Sequence, residues 1–306
     1  MKACRKAFTE TLLEIAKTDE NIWALATDSR GSVTLTDFAK ELPSQFIECG
    51  IAEQDAVGIA AGITLEGKTA FVCGPASFYA TRSAEQVKVD VAYSHRDVKV
   101  IGVSGGVSYG ALGGTHHAVQ DIAFMRAVPG LQVFIPADAA QSASMTRALA
   151  YSGEPAYVRM GRGDVEDVYT ENCPFEIGKA NILKTGAKAA IIACGEMVYP
   201  SLRAADILAA QGIDVSVIDM HTIKPLDEAA IIEAAKTGLI VTVEEHSVKG
   251  GLGSAVAEVV CEKCLVRMRI LGLPDETLYS GTNHEVFAHY GLTAEGIATS
   301  VAEALK

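Results

Sequence analysis

The sequence FIECGIAEQDAVGIAAGITLE, residues 46–66, places one carboxylate at the start of a helix that is otherwise small and apolar. A strand-like segment leads through a turn at Gly50 into this helix, whose first turn contains Glu53. Apolar residues follow on nearly every side, so we predict that the helix is buried and packs closely through Gly58 and Gly62. Glu53 therefore has two interpretations. It either complements the helix dipole and caps free amides, or it hydrogen-bonds a nitrogen of a buried ligand.

Length and composition predict a two-domain protein that associates with other chains. The chain has 306 residues, beyond the size at which a single core usually stops growing. Hydrophobic residues make up 49% and charged residues 21%, and this apolar surplus predicts an extensive subunit interface, including self-association. The net charge of -12 disfavours nucleic-acid binding, which needs clustered Lys and Arg. The sequence has no apolar run long enough to span a bilayer, so we expect no membrane contact.

The cysteines and the N-terminus favour a cytoplasmic location. The 7 cysteines are scattered, and most lie in apolar contexts such as those of Cys73 and Cys194, which is typical of reduced, buried thiols. The first 20 residues read as an amphipathic helix and lack the pattern of a signal peptide. The segment CEKC at residues 261–264 has no second pair and no nearby His. We therefore interpret it as a helix end and not as a metal or redox site.

Strand-like and helical patterns alternate along the chain, with a break in the middle. The strand-like runs lie at residues 22–26, 69–73, 98–103, 132–135, 156–159, 189–194, 215–219, 239–244 and 266–271. The periodicity fades between residues 163 and 186. Alternation of this kind predicts parallel strands with helical crossovers. We predict an α/β fold of two doubly wound, mostly parallel sheet domains in series, at residues 1–165 and 187–306, joined by a linker at residues 166–186.

The segment GLGSAV at residues 251–256 imitates a dinucleotide-binding fingerprint, because it follows a strand and precedes a helix. However, Val256 stands at the third glycine position, and the segment lies in the third unit of its sheet and not in the first. We therefore interpret the glycines as a close strand-to-helix turn. An NAD-dependent enzyme is disfavoured.

GIAEQ at residues 50–54 resembles a segment of the pyrimidine-binding domain of transketolases and related thiamine diphosphate enzymes. Further similar motifs follow in the family's order: ATD at 26–28, FY at 78–79, GGTHH at 113–117, RAVP at 126–129, PAD at 136–138 and YVRMGR at 157–162. From about residue 189 the chain resembles the transketolase C-terminal domain, with motifs TIKPL at 222–226, VEEH at 243–246 and GGLG at 250–253. The resemblance covers nearly the whole chain, and the ordered succession makes it specific.

The resemblance implies a split transketolase. Full-length thiamine diphosphate enzymes carry a Gly-Asp-Gly segment and a downstream Asn, which hold Mg²⁺ and the diphosphate. This chain has only GDV at residues 163–165, with no suitable Asn after it. We therefore expect an N-terminal transketolase subunit, in an α2β2 heterotetramer, to supply the diphosphate-binding domain and the Mg²⁺ ligands. The assembled enzyme would use thiamine diphosphate to transfer a two-carbon ketol unit from a ketose or ketose phosphate to an aldehyde.

The same resemblance implies a cofactor site. The family glutamate at the position of Glu53 protonates the pyrimidine ring of the cofactor, and a buried carboxyl group is suited to this role. Phe78 and Tyr79 would stack on the pyrimidine, although both could also be ordinary core aromatics. Arg82 lies in the same region, and we expect Asp28 to organise the site where the two chains meet.

The expected substrate residues follow in the same way. His116 corresponds to the family histidine that hydrogen-bonds substrate oxygens, and Arg162 to an arginine that binds the substrate phosphate, although it could also form a surface ion pair. We expect Ser32 on the substrate side as well. Ser104 and Leu112 replace a histidine and an aspartate that contact sugar oxygens in many transketolases. We therefore expect a modified or less hydroxylated ketose.

Two alternatives remain open. The β subunit of a 2-oxoacid dehydrogenase decarboxylase component shares the architecture and the glutamate, but the GGTHH segment favours transketolase. A non-catalytic partner that stabilises or regulates another enzyme would not need Glu53, His116 and Arg162 together. The joint presence of these three residues argues against that role.

Overall fold

The computed structural model describes residues 1–170 and 173–306, so the predicted linker at 166–186 is covered except for residues 171 and 172. The strands are β1 Ile22–Ala26, β2 Phe46–Glu48, β3 Thr69–Pro75, β4 Val98–Val103, β5 Gln132–Phe134, β6 Ala156–Met160, β7 Asn181–Lys184, β8 Ala189–Ala193, β9 Val215–Asp219, β10 Thr222–Lys224, β11 Leu239–Ser247 and β12 Arg267–Leu273. The α-helices are α1 Cys4–Ala16, α2 Thr36–Glu41, α3 Glu53–Thr64, α4 Ala76–Arg82, α5 Ala84–Gln86, α6 Asp121–Arg126, α7 Ala139–Ala150, α8 Val198–Ala210, α9 Glu228–Ala235, α10 Leu252–Lys263, α11 Asn283–His289 and α12 Ala294–Ala304. A π-helix at Val87–Tyr93 continues α5, and 3₁₀ turns lie at Pro43–Gln45, Gly110–Thr115 and Gly195–Met197. No helix within the described residues combines the length and apolarity required to cross a membrane.

The first sheet has the strand order β10-β5-β6-β4-β3-β1-β2, and β1 to β6 run parallel to their neighbours. Strands β3, β4 and β6 are buried along their whole length. Their nearly continuous apolar sequences suit a sheet that helices cover on both faces. The edge strand β10 comes from the C-terminal half of the chain and pairs antiparallel with β5.

The second sheet has the order β12-β11-β8-β9-β7, with β7 as its antiparallel edge. Two mostly parallel α/β layers in series confirm the predicted fold class. Strand β7 was not predicted, and it lies within the predicted linker. Its residues are half-buried or exposed, so they carry no continuous apolar run. Strand β10 was also not predicted, because Ile223 is its only apolar residue.

A glutamate side chain of the same chain, Glu244, occupies the space at the glycine-rich turn before α10. The Glu244 carboxylate accepts hydrogen bonds from the backbone N–H groups of Leu252 and Gly253, at 2.7 and 2.8 Å. A Cβ at Gly251 would lie 2.0 Å from Glu244 Oε2. This carboxylate occupies the place that a pyrophosphate takes in a dinucleotide-binding turn. The glycines therefore serve a close turn, as the sequence indicated.

The helix α3 differs from its prediction. Glu53 is buried, but Ile59 is 41% exposed, and a Cβ added at Gly58 or Gly62 would meet no atom within 4 Å. The prediction of a helix buried on every side and packed through its glycines is therefore wrong within this chain. One apolar face of α3 is left on the surface, directly after Glu53.

A buried polar cluster joins the two halves of the molecule. Asp219, at the end of β9, accepts hydrogen bonds at Oδ2 from Gln141 Nε2 and from the Tyr169 hydroxyl, each at 2.6 Å. Asp138 Oδ2 accepts the backbone N–H groups of Val168 and Tyr169 at 2.8 and 2.7 Å. Burial raises the pKa of Asp219 from 3.8 to about 7, while the bonds from Tyr169 and Gln141 oppose the rise.

We expect Asp219 to make the stability of the chain depend on pH. Its folded-state pKa is raised, so its contribution to stability is complete below pH 3.8 and is lost as the pH rises toward 7. Asp219→Asn cannot ionise, so its melting temperature should exceed that of the unmodified chain at pH 8 by about 2–4 °C, the shift that about 1 kcal/mol produces in a domain of roughly this size. The difference should shrink at pH 5. Asp275→Asn, at an exposed position, is the control, and equal pH profiles for all three chains would contradict the assignment.

Candidate active site

The predicted site residues lie along one edge of the first sheet. Parallel strands present their carboxyl ends on the same side, and ligands of α/β proteins bind at that edge. Asp28 follows β1, Glu53 follows β2 after a short turn, and Phe78 lies on α4 after β3. Ser104 follows β4 directly, and Arg162 follows β6. Residues from five separate segments are therefore assembled in one row.

Glu53 is the first residue of α3 and is 5% exposed. Its Oε1 accepts a hydrogen bond from Arg82 Nη1 at 3.1 Å. The residue at the N-cap of α3 is Ala52, which makes no side-chain capping bond. Glu53 and Arg82 line a cavity of about 490 Å³. The Arg82 side chain is 48% exposed, so it can move away from Glu53 without disturbing the core.

The two neighbouring aromatic residues on α4 have different environments. Phe78 is half-buried, with the Arg82 guanidinium 3.9 Å from its ring centroid and the His116 ring 5.5 Å away in an edge-to-face arrangement. Tyr79 is fully buried, and its hydroxyl lies 3.4 Å from Thr27 Oγ1. Phe78 is therefore open to the edge of the sheet, whereas Tyr79 belongs to the core beneath it.

His116 connects the Glu53 end of the row to Arg162. Its Nδ1 lies 2.9 Å from Thr115 Oγ1, which leaves Nε2 as the ring nitrogen available to a ligand. The Tyr109 ring lies 5.2 Å from the His116 ring, and the Arg162 guanidinium lies 5.1 Å above Tyr109. Contacts therefore run without a gap from the carboxylate, through Phe78 and His116, to the arginine.

Two residues at this edge have strained backbones. Asp28 and Ser104 have φ angles of 51° and 60°, in the left-handed region that costs a residue with a side chain about 1–3 kcal/mol. The Asp28 N–H donates to Glu48 Oε1 at 2.7 Å, which helps to hold its turn. Strain of this kind is concentrated at functional sites in proteins.

Serine hydroxyls at the same edge share a second unusual property. Within the described part of the chain, the buried Oγ atoms of four serines after β1, β3 and β4 have no hydrogen-bond partner: Ser29, Ser77, Ser104 and Ser108. A buried hydroxyl without a partner costs about 1–3 kcal/mol. Such a cluster is typical of an edge that a ligand or a second chain completes.

Arg5 holds two of the segments that the sequence assigned to the substrate side. Its guanidinium donates to the backbone carbonyls of Ser32 and Arg162, the latter at 2.9 Å. Burial lowers the pKa of Arg5, and the nearby Arg162 adds to this effect. Leu112 lies on the 3₁₀ turn before His116 and is 56% exposed. The structure thus brings Arg162 and Ser32 together through α1, while Leu112 faces outward.

A larger cavity of about 790 Å³ lies between the two domains, and Arg5 and Arg162 both line it. The C-terminal domain contributes polar side chains to the same cavity, among them Asn283 and His284. In residues 1–170 and 173–306, no three His, Cys, Asp or Glu side chains lie close enough together to hold a metal ion. The functional groups at this edge of the first sheet are a carboxylate, an aromatic ring face, an imidazole and a guanidinium.

Sequence reasoning missed Tyr109 and Arg5. Tyr109 is an aromatic residue within the glycine-rich segment SYGALGGTHH, residues 108–117, and an aromatic side chain in such a loop is a usable signal of a binding site. Arg5 lies on an N-terminal helix far away in sequence, and no local pattern connects it to Ser32 or Arg162.

Comparison with known proteins agrees with this architecture. Residues 1–167 match the family model described as transketolase, pyrimidine binding domain, and residues 178–297 match that of transketolase, C-terminal domain. The chain is 56% identical to an apulose-4-phosphate transketolase subunit of Phocaeicola vulgatus, over 100% of this chain and 98% of that protein. It is 38% identical to 6-deoxy-6-sulfo-D-fructose transketolase subunit SqwH of a Clostridium species, over 98% and 93% of the two chains.

A solved structure described as split gene transketolase, inactive beta4 tetramer, has a TM-score of 0.92 and 37% identity with this chain. The match covers 100% of this chain and 99% of that one. The relatives named as transketolase subunits and this split gene transketolase are thus matched over nearly their whole length. Since both domain models and these relatives span nearly all of it, the chain belongs to the transketolase family.

Proposed function

We propose that this chain is the C-terminal subunit of a split, thiamine diphosphate-dependent transketolase. The assembled enzyme moves a two-carbon ketol unit from a ketose donor to an aldehyde acceptor. The observation that carries the proposal is the continuous row of contacts from Glu53 through Phe78 and His116 to Arg162. This row supports a cofactor-binding role for Glu53 and a phosphate-binding role for Arg162, at opposite ends of one edge with the His116 imidazole between them.

The residues present fit the pyrimidine end of the cofactor. Glu53 is a buried carboxyl group beside a cavity, and it holds or transfers a proton at a ring nitrogen once Arg82 has moved aside. Phe78 offers the ring face for stacking, and we assign this role to Phe78 alone because Tyr79 is enclosed in the core. When bound, thiamine diphosphate supplies the electron sink for cleavage of the donor carbon–carbon bond.

His116 and Arg162 serve the substrate. Thr115 fixes the His116 ring through Nδ1, so Nε2 is directed to the substrate oxygens. Arg162 presents a planar fork suited to phosphate, and its position is set by the contact with Tyr109 and by the bond from Arg5 to its carbonyl. Asp28 and Ser104, on their strained turns, complete the wall of the site.

We propose apulose 4-phosphate as the first donor to test. Two relatives of this chain are transketolase subunits whose names give apulose 4-phosphate and 6-deoxy-6-sulfo-D-fructose, and neither is an ordinary pentose phosphate. Ser104 and the exposed Leu112 support an unusual donor, because they stand where polar side chains would otherwise grip the hydroxyl pattern of an ordinary ketose. Arg162 suits the phosphate.

We further propose that the exposed face of α3 docks the partner subunit, which brings the diphosphate-binding domain and the Mg²⁺ ligands. Ile59 on this face is 41% exposed, and Ile51, in the turn before α3, is 75% exposed. Tyr93, at the end of the π-helix that contacts α3, is 87% exposed. Apolar surface next to an active-site residue is typical of a subunit interface. Docking here places the second chain beside Glu53, in an α2β2 assembly. The similar beta4 tetramer is described as inactive, which supports dependence on a partner.

The remaining alternatives are less well supported. The transketolase subunits at 56% and 38% identity do not favour a 2-oxoacid dehydrogenase component. A purely stabilising partner subunit would not need the row of polar contacts from Glu53 to Arg162. A cytoplasmic location is also part of the proposal. All 7 cysteines lie in the residues that the structure describes, and none of them forms a disulfide bond.

We expect Glu53→Gln to reduce turnover of the reconstituted enzyme by a factor on the order of a hundred or more, while folding and assembly are retained. The enzyme is reconstituted with a partner polypeptide chosen because it carries a Gly-Asp-Gly segment. Deuterium exchange at the thiazolium carbon of the cofactor measures the step directly, and the chain without its partner provides the background. Glu262→Gln, the same change at an exposed position in α10, is the control. An unmodified exchange rate in Glu53→Gln would leave Glu53 as a structural partner of Arg82.

Gly58→Ala and Gly62→Ala should have opposite effects on the isolated chain and on the assembled enzyme. Since each added Cβ meets no atom in the chain, the higher helix propensity of Ala should raise the free energy of unfolding by up to about 1 kcal/mol. The same methyl groups should weaken partner binding if α3 packs closely there. Denaturant unfolding and calorimetric titration with the partner measure the two effects. Thr299→Ala, on an exposed face of α12, should leave partner binding unchanged. Undiminished binding by both glycine variants would exclude α3 as the interface.

Leu112→Asp restores a polar group at the edge of the site. We expect the ratio of kcat/KM for xylulose 5-phosphate to that for apulose 4-phosphate to rise about tenfold, as about 1–2 kcal/mol of transition-state binding allows. A single acceptor aldehyde is used for both donors. Leu265→Asp, at a position that is 88% exposed in the C-terminal domain, controls for the added charge. Equal use of both donors by the unmodified enzyme, with no change in Leu112→Asp, would show that this position does not set specificity.

A further inference from the structure

A closed loop carries the substrate histidine. Residues 104–118, which we call the substrate loop, connect β4 to the segment before α6 and contain Tyr109 and His116. Gly106 and Ala118 form an antiparallel bridge at its base, with N–H to carbonyl oxygen distances of 2.9 and 2.8 Å. The position of His116 therefore depends on whatever holds this base.

A side chain of the C-terminal domain holds it. Glu245, in β11, accepts the Val107 N–H at Oε1 with a distance of 2.8 Å. Its Oε2 accepts a hydrogen bond from Arg159 Nη2 at 3.2 Å, and the same nitrogen donates to the Glu245 carbonyl at 2.6 Å. A Cβ at Gly106 would lie 2.1 Å from the Glu245 carboxylate, so the loop backbone passes directly against it.

The surroundings of Glu245 are buried. Arg159 Nε lies 3.4 Å from Asp121 Oδ2, which also accepts the Tyr157 hydroxyl at 2.7 Å. Burial raises the pKa of Glu245 to about 8 and also raises that of Glu196, and Arg159 opposes both shifts. Both oxygens of Glu245 accept hydrogen bonds, and these bonds favour its carboxylate form. Glu196 Oε1 has no partner in the described residues.

The C-terminal domain also touches the tip of the loop. Gly110 has a φ of 45°, and a Cβ there would lie 2.3 Å from the Gly281 carbonyl oxygen. A Cβ at Gly113 would lie 2.9 Å from Ser280 Oγ. The substrate loop is therefore pressed against the C-terminal domain at both its base and its tip, and the contact at Gly113 lies less than one helical turn before His116.

We propose that Glu245 is a positioning residue: by accepting the Val107 N–H it fixes the base of the substrate loop, and the C-terminal domain thereby determines where His116 meets the substrate. The kinetic consequence rests on the proposed function. The dependence of the loop on Glu245 is a property of the chain alone and is measured without any activity.

Two conservative substitutions separate positioning from charge balance. Glu245→Asp keeps a carboxylate near Arg159 but is too short to reach the Val107 N–H. Glu245→Gln keeps the reach. With its amide oxygen toward the Val107 N–H, its NH2 group replaces the oxygen that accepts from Arg159 Nη2, and that nitrogen keeps the Glu245 carbonyl as its acceptor. We expect amide hydrogen exchange of residues 105–118 in the purified chain to rise tenfold or more in Glu245→Asp and to stay within about threefold of the unmodified chain in Glu245→Gln. Exchange in α3 should not change in either variant.

In the reconstituted enzyme, Glu245→Asp should lower kcat/KM for the donor tenfold or more, with deuterium exchange of the cofactor unchanged. The matched control is Glu258→Gln, which removes an exposed carboxylate that pairs with Arg126 across the same two domains at 2.6 Å. The proposal is overturned if Glu245→Asp leaves loop exchange unchanged, if Glu245→Gln accelerates it as strongly as Glu245→Asp, or if Glu258→Gln has the same effect. Faster loop exchange in Glu245→Asp within an assembly that has no transketolase activity would instead refute only the proposed function.

Discussion

Parallel pairing in the first sheet is the constraint on which the site depends. A parallel strand cannot return through a hairpin, so each strand is followed by a crossover that starts at the same edge of the sheet. Segments after β1, β2, β3, β4 and β6 consequently lie side by side, although more than a hundred residues separate the first from the last. The buried, close-packed strands fix the positions at which these segments begin. The side chains at the edge are therefore held in place by the core.

Polar groups at this edge differ in how they are satisfied. Both oxygens of Glu245 and Oδ2 of Asp219 accept hydrogen bonds from within the chain. The buried Oγ atoms of Ser29 and Ser104, and Oε1 of Glu196, have no partners in the described residues. The two serines follow parallel strands at the edge where we propose that a ligand and a second chain bind.

The sequence predicted the fold class and the strand positions in the sheet centres, because continuous apolar runs mark buried parallel strands. It did not predict β7, whose residues are half-buried or exposed, or β10, whose three residues include only one apolar side chain. Ordered motifs identified Glu53, His116 and Arg162. They could not show that Tyr79 is enclosed while Phe78 is open, since one residue of register on a short helix decides which side each ring faces.

The contacts made by Arg5 and Glu245 could not be predicted from the sequence for a different reason. Each depends on how segments distant along the chain are brought together: Arg5 reaches Arg162 from α1, and Glu245 reaches Val107 from β11. No local periodicity encodes such pairs. The burial of α3 was predicted wrongly because its glycines and apolar side chains do not show which face of the helix the rest of the chain covers.

Strand β10 limits where this polypeptide can be divided. It belongs by sequence to the second half but completes the sheet of the first, covering the edge of β5. Cutting the chain in the connection between the halves would expose the hydrogen-bonding groups of β5, and an uncovered strand edge invites association with other chains. The first domain therefore depends on a strand from the second half of the chain to complete its sheet. A gene for such an enzyme can be split ahead of this pair of domains without breaking a sheet, but not within it.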